Sequence, residues 1–106
     1  MTYIELLTAL KTLGYPVTYD TFNSPQSPPF ITILSTGNDD LKADNINYVD
    51  IENFQIELYQ KKYFPPVEKE LKNLLKEKGL ACEISRSPIP GEDLYQTVYD
   101  ISIIGG

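Results

Sequence analysis

The chain has 106 residues, 42% hydrophobic and 23% charged, with nine basic against fifteen acidic side chains, no histidine and one cysteine. That is the length of one ordinary domain, enough to bury a core without staples, and the composition is globular. A net charge of −6 with a single arginine, Arg86, is a poor fit to sequestering nucleic acid, and one cysteine excludes an intramolecular disulfide. No apolar run approaches a membrane span, and the N-terminus lacks a basic segment followed by an apolar one, so neither an anchor nor a signal peptide is expected.

Thr2 and Glu5 stand three apart, the spacing of a capping box. Tyr3, Leu6, Leu7, Leu10 and Leu13 then recur at helical spacing, and Gly14 and Pro16 supply the stop. Residues 17–22 read as a short strand. SPQSPP, residues 24–29, is a stiff connector whose prolines oppose regular pairing. FITILS, residues 30–35, is an apolar strand, and TGNDDLKADN, residues 36–45, reads as a polar loop of turn formers.

Residues 46–64 read as one unusually long strand running straight into a helix. Phe54, Ile56 and Leu58 alternate with Gln55, Glu57 and Tyr59, the period of a half-buried strand. Val49 and Ile51 sit on the opposite parity. Either a bulge near Glu52 and Asn53 resets the register, or the outer half faces something other than the core. At about 3.3 Å per residue the run could reach roughly 45 Å, against a radius of gyration of about 13 Å for a domain of this size. Part of it is therefore expected to project or bend.

Pro65 and Pro66 open a second helix at the position where proline is tolerated. Val67, Leu71, Leu74 and Leu75 form its apolar stripe, Glu68 and Lys72 are spaced as an i,i+4 pair, and Gly79 ends it. Leu80, Cys82 and Ile84 alternate as the next strand, with Cys82 expected as a buried, inert thiol. SPIPGED, residues 87–93, reads as a turn. Tyr95, Thr97, Tyr99, Ile101 and Ile103 face inward from the last strand, the two tyrosines with tethered hydroxyls. The order predicts an α+β fold over residues 1–106, a mostly antiparallel sheet with two helices packed on one face. Leu7, Leu10, Phe54, Ile56, Leu71, Leu74, Tyr99 and Ile101 are its expected core.

Little in the chain points to chemistry. Without histidine it lacks the commonest neutral-pH base and metal ligand, and one cysteine leaves no zinc set and no Cys–His pair. The acids of residues 39–44 lack the glycine and terminal glutamate of a calcium loop. Glu52 and Glu57 lie on opposite parities of a strand and face apart. No catalytic residue, metal or cofactor is therefore expected, and the chain is read as a non-enzyme. Tyr48, Tyr59 and Tyr63 lie along the long strand and its exit, and tyrosine suits contact surfaces as well as strands. Charge is uneven: residues 1–60 carry −6, residues 61–90 carry +3 and the last sixteen −3. Such asymmetry can orient subunits, and a solvated helix face explains the lysines equally well.

Residues 44–104 resemble a family of small phage proteins. The likeness rests on Ala43-Asp44-Asn45 before the long strand, then Asn53-Phe54-Gln55-Ile56-Glu57-Leu58-Tyr59-Gln60-Lys61-Lys62. A Glu/Lys/Leu helix ending Lys78-Gly79 follows, and then a closing strand with Tyr95-Gln96-Thr97-Val98-Tyr99-Asp100-Ile101. This pattern resembles the tail-terminator, or tail-completion, proteins of long-tailed phages and Gram-positive prophages. The resemblance implies a non-enzymatic homo-oligomer, a ring of hexameric type at the head-proximal end of the tail tube. It also implies contacts to tail-tube and head-connector proteins, no membrane, and a location in the host cytoplasm during assembly and in the virion afterwards. DNA would pass through without specific binding. On this reading Tyr48, Val49, Ile51 and Tyr59 are candidate interface residues, and Asp39, Asp40 and Asp44 a candidate acidic lumen loop that repels phosphate. The rival expectation is a small intracellular adaptor or regulatory domain, dimeric or monomeric.

Overall fold

The computed structural model describes residues 2–20, 22, 26–38, 41–43, 46–49 and 51–104, with the backbone alone at 38, 41–43 and 46–49. Helix α1 spans Tyr3–Lys11. Its capping box forms: the Thr2 hydroxyl accepts from the Glu5 amide at 3.2 Å, and the Glu5 carboxylate accepts from the Thr2 amide at 3.2 Å. Strands β1 (Val17–Tyr19), β2 (Phe30–Asn38), β3 (Leu41–Ala43), β4 (Ile46–Val49) and β5 (Ile51–Gln60) follow, then α2 (Pro65–Glu77), β6 (Glu83–Ile89) and β7 (Leu94–Ile104). Helix α2 starts on its proline pair and ends in a Schellman motif. The Leu80 amide reaches the Leu75 carbonyl at 2.9 Å and the Gly79 amide the Lys76 carbonyl at 3.0 Å, with Gly79 at φ 76°.

Five strands form one sheet in the order β1-β2-β5-β7-β6. Every pairing is antiparallel except β1 with β2, which is parallel. The fold is α+β, with both helices on one face of a mostly antiparallel sheet. On that face Ile31, Ile33, Phe54, Ile56, Leu58, Tyr99, Ile101 and Ile103 pack against Leu6 and Leu10 of α1 and Val67, Leu71 and Leu75 of α2. Of the expected core, Leu10, Phe54, Ile56, Leu71, Tyr99 and Ile101 are buried. Leu7 and Leu74 are only half-buried at its margin, because the helical phase points their neighbours Leu6 and Leu75 more directly at the sheet.

The long strand is not continuous. β5 runs unbroken beside β7 from Ile51↔Ile104 to Gln60↔Tyr95, but β4 leaves this sheet and pairs with β3 in a separate two-stranded one. The register irregularity lies across from Asn53 and Phe54, on β2 between Ser35 and Gly37. Gly37 adopts φ 138° there, a backbone that side chains rarely reach, with open space where a Cβ would stand. Glycine is thus needed for conformation rather than room.

Several boundaries differ from expectation for physical reasons. Residues 36–38 and 41–43 are strand, not loop, because pairing with β5 and β4 overrides their turn propensity. β1 stops at Tyr19, where Asp20 turns at φ 67° with its amide on the Ile33 carbonyl at 2.7 Å. β6 begins at Glu83 and continues through Pro88 to Ile89, leaving only residues 90–93 as the turn. As the sheet's edge strand, β6 tolerates a residue that cannot donate. The molecule is elongated, 51 Å by 28 Å by 25 Å, with a radius of gyration of 14.8 Å.

Candidate functional site

Two polar clusters flank the sheet. The first lies on the helix-covered face. Glu68 of α2 occupies the apolar stripe beside Val67 and Leu71 and is only 6% exposed. A carboxylate in that position must be paired. Arg86 of β6 supplies a two-pronged partner: its Nε lies 3.0 Å and 2.9 Å from the two carboxylate oxygens, and its Nη2 bonds Oε1. The Thr97 hydroxyl donates to Oε2 at 3.3 Å, and the Tyr99 hydroxyl donates to the Glu68 carbonyl at 2.8 Å. The Arg86 guanidinium stands 5.8 Å from the Tyr63 ring centroid, and Tyr63 meets Tyr95 at 5.5 Å. The expected Glu68–Lys72 pair does not form. Position 68 points at the sheet while Lys72 points to solvent, so the carboxylate takes its partner from β6.

This cluster fastens α2 to β6 and β7. Burial, and after it the charge of Glu68, holds the Tyr99 hydroxyl well above its ordinary value. Tyr99 therefore stays a donor to the Glu68 carbonyl across the usual pH range. Tyr95 is half-buried and makes a ring contact with Tyr63; no hydroxyl tether of the expected kind forms among the described residues.

One prediction arises here. The unfolded Tyr99 ionises near pH 10 and the folded one above it. Its contribution to stability is intact below about pH 10 and drains away as pH rises further, at up to about 1.4 kcal/mol per pH unit. Tyr3, Tyr15 and Tyr59, also raised mainly by burial, act in the same direction. Tyr99→Phe should lose about 1 kcal/mol at neutral pH with the hydrogen bond, yet show a shallower alkaline decline. Urea unfolding from pH 7 to 11 reads both; an unchanged alkaline slope contradicts the assignment.

The second cluster lies on the opposite, helix-free face. The Thr32 hydroxyl donates to Glu57 Oε1 at 3.0 Å, and Gln96 Nε2 donates to Glu57 Oε2 at 2.8 Å and to the Tyr59 hydroxyl oxygen at 3.1 Å. Tyr59 stacks on Phe30 at 4.8 Å, and Phe22, in the connector between β1 and β2, meets Phe30 edge-on at 5.7 Å. Burial first, and then the neighbouring Glu57, raises the Tyr59 hydroxyl. The aromatic row extends the sheet's own packing and anchors the proline-rich connector, a role its sequence does not announce. Glu52 and Glu57 face apart, as their parity requires.

The candidate interface residues do not converge. Ile51 starts β5 opposite Ile104, whereas Tyr59 lies near the other end of the same strand, roughly 26 Å away at strand rise. Val49 pairs with Leu41 on the separate two-stranded sheet, and Tyr48 falls at its register shift. Asp39, Asp40 and Asp44 lie outside the described residues. Beside Ile51 a cleft of about 660 Å³ is lined by Asn53, Cys82, Glu83, Asp100, Ser102 and Ile104, among others. Cys82 is half-buried rather than buried, and desolvation pushes its thiol up, which keeps it a weak nucleophile. Among the described residues no group of three potential ligands could hold a metal, and no helix is long and apolar enough to cross a membrane.

Neither a protein-family model nor a curated protein sequence matches the chain.

Proposed function

We propose that this chain is a structural assembly protein that forms a ring, of the tail-terminator kind its segment 44–104 resembles, at the head-proximal end of a phage tail tube. The observation that carries the reading is the exit of the backbone from the main sheet between β5 and β4. Among the described residues β3 and β4 pair with each other and with no strand of the five-stranded sheet. An isolated two-stranded sheet is marginal in water, so it gains most from a neighbouring subunit. The elongated body gives such an arm reach. The absence of histidine and the full commitment of Glu68 to Arg86 further favour a structural over a catalytic role.

In this reading Ile51 supplies apolar surface to the subunit contact, with Tyr48 and Val49 of β4 as the sequence's further candidates. Asp39, Asp40 and Asp44, outside the described residues, are the sequence's candidates for an acidic lumen loop, where carboxylates would keep DNA phosphates from adhering. Subunits assemble in the host cytoplasm and end in the virion tail, against tail-tube and head-connector proteins. Tyr59, committed to Phe30 and Gln96, belongs to the subunit's own packing.

Ile51→Asp tests the contact. It should leave the thermal melt close to the parent's, because Ile51 is only half-buried at a strand end, and abolish assembly as read by sedimentation velocity. Assembly equal to the parent's contradicts it.

A further inference from the structure

The charge of this acidic chain is sorted by face. Along the solvent side of α2, Lys69, Lys72 and Lys76 recur at helical spacing, all exposed, and with Pro65 and Pro66 they border an open groove of about 630 Å³; Glu70 also lines it, its carboxylate accepting from the Tyr15 hydroxyl at 3.0 Å, so the lysines outnumber the one exposed acid there. Among the described residues none of the three lysines has a carboxylate at ion-pair distance, since the ion pair found there is Arg86–Glu68. Phe64, 55% exposed, stands at the head of the same helix.

The other side of the sheet carries the opposite pattern. Glu83 and Asp100 are direct cross-strand partners on β6 and β7 and share the helix-free face, both exposed. Like charges placed opposite each other destabilise a sheet, and among the described residues no cation offsets them. Ile104, 64% exposed, and its cross-strand partner Ile51 lie on the same face near this pair. Each patch therefore joins exposed apolar surface to unpaired charge, and the two patches differ in sign. Both lie by β6, the sheet edge, where Pro88 opposes backbone pairing with another strand.

We infer that the α2 lysine face of one copy docks on the Glu83–Asp100 face of the next. The occupant is a second copy of this chain because the complementary surface is present on the chain itself. The contact is heterologous: the two patches lie on opposite faces of the sheet, so a two-fold dimer would set like against like. Head-to-tail contacts of this kind close into rings or run on as filaments. The inference rests on the ring reading for closure alone; the pairing of patches stands or falls separately.

Reciprocal charge reversal tests it. The Lys69→Glu, Lys72→Glu, Lys76→Glu variant carries two acidic patches, and the Glu83→Lys, Asp100→Lys variant two basic ones. Each substituted side chain is exposed, so both variants should fold, which circular dichroism checks. Alone, each should lose self-association at least tenfold by sedimentation velocity. Mixed in equal amounts they should reassociate, because every contact in an alternating array again joins opposite charges. One chain carrying all five changes should also reassociate. Parent-like assembly of either single-patch variant overturns the inference while leaving the ring reading intact. Rescue by mixing into open chains supports the inference and defeats the ring. Loss without rescue, rescue only by added DNA, or a parent chain that stays monomeric overturns the inference.

Discussion

Leu71→Ala is expected to destabilise the chain by about 2–5 kcal/mol. Leu71 has 0% exposure and sits on α2 at the centre of the cluster that joins both helices to the sheet. Truncation removes its transfer free energy and leaves a cavity, because the neighbouring Leu75, Leu10, Tyr99 and Ile101 are held by their own elements. For a domain of this size the melting temperature should fall by at least about 10 °C. Leu74→Ala, three residues along but half-buried at the core's margin, should cost less than half as much. Equal effects at the two positions would mean that α2 is rotated from the phase described.

The second large effect concerns the buried carboxylate. Arg86→Ala should lower the urea midpoint clearly, although 43% of the arginine side chain's surface is exposed, because it strips the charged partner from a Glu68 that is almost fully enclosed. The Thr97 hydroxyl, at 3.3 Å, cannot replace a two-pronged guanidinium. Removing both charges in Glu68→Leu, Arg86→Leu should recover at least half of that loss, since apolar residues of similar volume often match a buried pair. Urea midpoints of the parent, the single variant and the double variant decide this. A double variant weaker than Arg86→Ala would show that the pair itself, not the orphaned charge, holds α2 down.

Local signals in the sequence were reliable where the structure depends on local physics. Thr2 and Glu5 cap α1, Pro65 and Gly79 bound α2, and the alternation through Tyr99, Ile101 and Ile103 marks the buried face of β7. What escaped depends on partners far along the chain. Gly37 and Asn38 look like turn residues, yet β5 recruits them into β2 through an irregularity that only glycine accommodates easily. Pro88 looks like a strand breaker, yet it sits on an edge where no donor is required. Glu68 has a textual neighbour in Lys72, but the helical phase turns it to Arg86, eighteen residues away. The parallel pairing of β1 with β2 has no local signature, and the Phe22–Phe30–Tyr59 row that anchors its connector appears only once the strands are aligned. The change of apolar parity between Ile51 and Phe54 is not a break in β5, which runs in even register from Ile51 to Gln60; it puts Ile51 on the face opposite Phe54, and the division between the two sheets falls before Ile51.

The candidate site was legible in part. Charge sorting along the chain gave residues 61–90 a net +3, but the lysine row on the solvent side of α2 needed the helical phase, and the placement of Glu83 directly opposite Asp100 required the β6–β7 register. Ile51 is half-buried at the start of β5, whereas Tyr59 is absorbed by the sheet's own aromatic row. Strand propensity and contact propensity favour the same side chain, so sequence alone could not separate the two tyrosine roles.

Mass-resolved imaging of the purified chain tests ring assembly without an intermediary. The expected result is closed annular particles of uniform mass, several times that of one subunit, with an open centre wide enough for duplex DNA. A single species of one or two subunits at every concentration, with no open centre, would contradict it.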